Sequence, residues 1–211
     1  MATTAGRWFE PAYGRPERPD ADLATRNGTT VQIAWSHHYT AIALRKLGRS
    51  DEAVASASQA TGLFKSLGDI DSYYASISNL GHCLRDEGRY DEALERYREA
   101  FALVSDDESG MTPSIAAHLR PYTLADLGRC LGLLGHRGEA ITTLTAATAV
   151  MESFDSNIMQ ALALETLAAL LAEEGQTGGS RRAYARAAEV YEVIGDAEAH
   201  SRCHDLATGA P

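Results

Sequence analysis

From about residue 30 onward, apolar residues recur at steps of three and four, the spacing that gathers them on one face of an α-helix. The clearest stretch sets Ile77, Leu80, Gly81 and Leu84 on such a face, and after a short break Ala93, Leu94, Tyr97, Ala100 and Phe101 on another. Gly88 lies in the break. It is expected to end the first helix in the left-handed conformation that glycine alone adopts cheaply. Asp91 and Glu92 then open the second helix, where carboxylates meet the positive end of its dipole. Glu92 and Arg96, four residues apart, are expected to pair on its outer side. The spacing predicts two antiparallel helices of roughly 16 to 18 residues each.

The phrase repeats. Leu47-Gly48-Arg49-Ser50-Asp51-Glu52-Ala53 precedes Glu87-Gly88-Arg89-Tyr90-Asp91-Glu92-Ala93. Leu134-Gly135-His136-Arg137-Gly138-Glu139-Ala140 and Glu174-Gly175-Gln176-Thr177-Gly178-Gly179-Ser180 follow. The glycines stand 40, 47 and 40 residues apart, a regularity that predicts a solenoid of helix pairs. The repeats are expected over 30–68, 70–105, 113–154 and 157–195, followed by a capping helix over 196–207 and a tail over 208–211. The seven additional residues between the second and third copies fall around Ser105 to Pro113, where Asp106, Asp107, Glu108, Ser109 and Gly110 make a polar loop.

Residues 1–28 read differently. Pro11, Pro16 and Pro19, with Gly6, Gly14 and Gly28, predict an extended arm. Trp8, Phe9 and Tyr13 give this arm something to pack on the first repeat, whose helix Thr29 or Thr30 would cap.

Charge narrows the partners. Lys and Arg number 19 against 29 Asp and Glu, a formal net charge of −10, which repels phosphate backbones and argues against direct nucleic-acid binding. Three widely spaced cysteines, Cys83, Cys130 and Cys203, make no disulfide framework and suit a reducing cytoplasm. The start of the chain has no leader-like apolar core, and no run approaches ~18 apolar residues, so neither export nor membrane association is expected.

The residues Asn79-Leu80-Gly81, Leu84, Gly88, Ala93, Tyr97 and Ala100 resemble the tetratricopeptide repeat. Leu127-Gly128, Leu131, Gly135, Ala140 and Ala147 resemble it too, with Leu144 in place of the aromatic. The joints Ser66-Leu67-Gly68-Asp69 and Val193-Ile194-Gly195-Asp196 are similar to the ~40-residue repeats attached to actinobacterial regulators and signalling ATPases. The resemblance implies an all-α, right-handed superhelical solenoid of four helix-turn-helix repeats plus a C-terminal capping helix. It also implies a regulatory scaffold that binds a peptide or protein segment in its concave groove. Neither a phosphate-cradling loop nor a DNA-reading helix accompanies the repeats.

In this family the first helix of each pair lines the groove. Helical spacing then places Trp35, His38, Arg45, Ser78, His82, Arg85, Tyr122, Arg129 and Glu165 there. A groove that is basic and aromatic, in a chain that is acidic overall, suits an acidic or amphipathic segment. The plain alternative is that these are solvated helix residues paired with neighbouring carboxylates. A second reading is a self-associating structural array, and a third an enzyme built on a repeat fold, pairing His82 with Glu165. No cofactor or metal is implied: His37 and His38 are adjacent and diverge on a helix, and no Cys-x-x-Cys or His-Glu-x-x-His spacing occurs. Cys83 and Cys130 occupy equivalent repeat positions and are expected to pack as small hydrophobes.

Overall fold

The computed structural model describes residues 21–155 and 157–209, which form nine helices and no strand. They run α1 (Ala21–Lys46), α2 (Ser50–Leu67), α3 (Ile70–Asp86), α4 (Tyr90–Ser105), α5 (Pro113–Leu133), α6 (Arg137–Met151), α7 (Ile158–Glu173), α8 (Thr177–Ile194) and α9 (Ala197–Thr208). Helices α1/α2, α3/α4, α5/α6 and α7/α8 form four pairs, and the second helix of each pair also packs on the first helix of the next. Helix α9 packs on α8 and closes the array. Along the other side the first helices meet one another, α1 with α3 and α5 with α7.

The turn inside each pair is the same local event. Gly88 has φ +81°, and its equivalents Gly48, Gly135 and Gly175 have +72°, +79° and +74°. The N–H of Gly88 donates to Arg85 O, and that of Arg89 to Leu84 O, at 3.0 and 2.9 Å. The last carbonyls of α3 are thereby satisfied as the chain reverses. The same long bond joins Arg49 to Leu44, His136 to Leu131 and Gln176 to Leu171. Three helices entered from the joints between pairs, or before α9, use side-chain caps instead: Asp69 accepts from Ser72 N–H, Asn157 from Gln160 N–H and Asp196 from Ala199 N–H.

Where the two helices of a pair cross, small residues let backbones approach. A β-carbon on Gly81 would stand 2.7 Å from the Tyr97 ring, and one on Gly128 the same distance from Leu144 Cγ. The largest apolar cluster runs through the array from Ala41 to Leu170, with Tyr97, Leu144 and Met151 wholly enclosed. A second cluster joins Phe64, Tyr73, Tyr74 and Ile77 at one end of the first two pairs, and a third joins Leu164, Tyr191 and Cys203 beneath α9. All three cysteines are buried and free; burial raises their thiols to about 11, which makes them poor nucleophiles.

Three expectations are corrected. Helix α1 begins at Ala21, so residues 21–28 belong to it and not to an extended arm. Beyond Pro19 no proline interrupts the chain until Pro113, and one internal glycine at Gly28 costs only about 1 kcal/mol. Thr29 and Thr30 therefore lie inside the helix, and the aromatic arm residues Trp8, Phe9 and Tyr13 lie outside the described residues. Glu92 does not pair with Arg96. Arg89, at the N-cap, forks onto both its oxygens at 2.6 Å, and Arg96 turns to Glu99 at 2.7 Å. The additional residues before the third pair are shared between the loop and a longer helix: α5 has 21 residues where α3 has 17. The loop is held by Met111, buried among Tyr73, Tyr74 and Ile77.

Candidate functional site

The polar residues of the first helices gather between α3 and α5. Asp126, 6% exposed, is their centre. His82 Nε2 lies 2.8 Å from its Oδ2, Arg85 Nη1 3.5 Å from its Oδ1, and Arg129 Nη1 3.9 Å from the same oxygen. Arg85 also holds Asp86 at 3.1 Å, and Arg45 of α1 holds Asp86 at 3.4 Å. A chain of charges thus crosses α1, α3 and α5, with three guanidinium groups shared between two carboxylates.

Burial alone would push the Asp126 carboxyl up, but His82, Arg85 and Arg129 outweigh it and hold the group below the usual carboxylate range. Burial opposes the charge of Arg85 too, yet Tyr97, Asp126 and Asp86 leave it more firmly charged than usual. Arg129 goes the other way. Burial and then repulsion from Arg85 lower its affinity for a proton, because its single ion pair is the long one to Asp126. Beside this cluster the Tyr97 hydroxyl is buried with no hydrogen-bond partner among the described residues, and so is Ser78 Oγ, one turn before His82.

The remaining expected groove residues divide. Tyr122 stands one turn before Asp126 on α5; its hydroxyl accepts from Asn157 Nδ2 at 3.1 Å. Its ring lies 6.2 Å from Phe154 and 5.4 Å from His118, forming a partly open aromatic group. Trp35 and His38 belong instead to the end packing of α1 and α2, with Trp35 against Phe64 and Tyr39. His38 is 7% exposed, its Nδ1 lacks a partner among the described residues, and burial lowers its pKa to about 4. Glu165 does not join His82. It accepts from the Tyr191 hydroxyl and from Arg202 at 2.9 Å each, binding α7 to α8 and α9.

The carboxylate that joins His82, Arg85 and Arg129, Asp126, was not among the residues the sequence put forward for the groove. Asp126 sits three residues before Arg129 and four after Tyr122, on the same stripe, and that spacing was the available signal. Among the described residues no group of three or more His, Cys, Asp and Glu could hold a metal ion, and no helix is long and apolar enough to cross a membrane.

Residues 76–110 match the family model of the tetratricopeptide repeat. No curated protein sequence matches the chain. Among solved structures, a variant of nearly identical TPR-like repeats from Podosopora anserina, assigned to a kinesin light chain, superposes with a TM-score of 0.64 at 18% identity. The match covers 86% of this chain and 89% of that one. A Rap protein crystallised with Competence and Sporulation Factor gives 0.65 at 17% identity, over 85% of this chain and 53% of the other. RapI in its apo form gives 0.58 at 13%, over 86% and 64%. At these identities the likeness is one of fold.

Proposed function

We propose that this array of tetratricopeptide-type repeats is a non-catalytic regulatory scaffold, and that a segment of a partner protein docks on the face lined by its first helices, across α3 and α5. The observation that carries the reading is Arg129. It is a partly buried guanidinium with one long ion pair, set beside a second arginine in a chain of net charge −10. A carboxylate of a partner supplies the missing charge-assisted hydrogen bonds. The buried, unpaired hydroxyl of Ser78, one turn before His82 on α3, favours a site completed by something else. A reducing cytoplasm suits three free cysteines.

Affinity capture with the wild-type chain, an Arg129→Glu variant and an Arg182→Glu control on exposed α8 tests the reading. A species retained by wild type and control but lost by Arg129→Glu supports it. Equal capture by all three removes the first-helix face from the account.

A further inference from the structure

Helix α5 carries two different anchors in register. Tyr122 and Arg129 are seven residues apart, which on an α-helix is about 10 Å along the axis and within about 20° of the same direction. The first belongs to the aromatic group with His118 and Phe154; the second is the under-compensated cation. Between them on the stripe lies Asp126, buried and negative.

We infer that this stripe reads a two-point motif: a large aromatic or apolar side chain on Tyr122 and Phe154, and an Asp or Glu on Arg129, three residues apart in an extended segment. The inference rests on the docking reading above and gives that site its ligand class. The spacing follows from geometry. In a polyproline-type chain, residues three apart point the same way and lie about 9 Å from each other, close to the separation of the anchors. A flat strand puts residues three apart on opposite faces, so it meets only one anchor. Unfolded chains already populate the polyproline conformation, which lowers the ordering cost of docking.

The aromatic end is pre-set. Tyr122 is oriented by Asn157, the cap of α7, and Phe154 lies nearly parallel to it, with 24° between the ring planes. The acidic end has a direction. Arg85 is already shared between Asp126 and Asp86, whereas Arg129 has one long ion pair, so the acid settles at Arg129.

Fluorescence anisotropy with labelled eight-residue peptides tests this, using one Phe and one Glu in an Ala/Ser background at separations of one to five, in both orders. A separation of three is expected to bind about tenfold more tightly than one, two, four or five. Replacing the Glu by Gln should lose that gain in wild type but not in Arg129→Gln, while Arg129→Lys retains part of it. Phe154→Ala should remove the preference for Phe over Ala; circular dichroism verifies that each variant keeps its helices. Affinity independent of separation, or a Glu preference that survives Arg129→Gln, overturns the two-point motif. If partner capture still depends on Arg129 in that event, the docking reading stands without the motif. If capture is also indifferent to Arg129, both fall.

Discussion

Toward α7, helix α5 presents Gly132 to Leu170, so closely that a β-carbon on the glycine would stand 3.3 Å from Leu170 Cδ1. Toward α3 it presents Asp126 to His82 and Arg85, and Thr123 to the Tyr74 hydroxyl at 2.7 Å. One seam is apolar and drawn tight by small residues; the other is bridged by long polar side chains. The apolar seam gains from burial, which needs shape but no particular partner. The polar seam holds only while each charge keeps its counterpart, and it has one guanidinium more than its carboxylates neutralise. In a solenoid, where stability is close to a sum of neighbour interfaces, such a difference can stay local. The tight seam serves the fold, and the polar seam keeps a guanidinium with only one long ion pair.

The comparison breaks first at Asp126. Asp126→Ala leaves Arg85 and Arg129 together without their anion and His82 Nε2 without its partner, and should cost about 3–5 kcal/mol in a denaturant titration. A loss under about 1 kcal/mol would mean that water, not Asp126, balances these cations.

A second test uses the seam between α1 and α3, where Asn79 Nδ2 donates to His38 O at 3.4 Å. His38 is buried and held neutral, with its pKa lowered to about 4. The unfolded chain takes up this proton below pH 6.5 and the folded chain only near 4, so this stabilisation is present above 6.5 and is lost as pH falls. The wild-type chain should lose about 3 kcal/mol over that window from this group, and His38→Leu should remove the slope. Asp126 acts lower. Its carboxyl is held below the usual range, so its contribution is complete above the ordinary carboxylate range and is lost as pH falls through that range toward the lower folded value. Superimposable pH profiles for wild type and His38→Leu would place the buried charge elsewhere.

The smallest effect belongs to the tight seam. Gly132→Ala adds a methyl group that Leu170 must yield to, while helix propensity improves, so the net change should stay within about 1 kcal/mol. Thermal melts check this, and a large loss would show that the apolar seam is the less tolerant of the two.

The helices were legible because their cause is local. Gly88 and its equivalents end helices through their own backbone freedom, and the three- and four-residue apolar steps name the buried faces directly. The start of α1 was not, because the prolines that signal an arm stop at Pro19 and Gly28 is tolerated mid-helix. At the site, α5 alone brings Tyr122 and Arg129 onto one face, so their shared stripe could be read. Which cation meets which anion depends on the distance between helices distant in sequence. His82 and Asp126 are 44 residues apart, and no periodicity records that they touch. The suggested pairing of Glu165 with His82 failed for the same reason: its partners Tyr191 and Arg202 arrive from α8 and α9.

The most direct test of docking on the first-helix face is NMR of the chain with an eight-residue peptide carrying Phe and Glu three residues apart. The account predicts shifts at the Arg129 and Arg85 side-chain N–H groups and along α3 and α5, absent in Arg129→Glu. Shifts confined to α4, α6 and α8, or binding that leaves the Arg129 side chain unmoved, would contradict it.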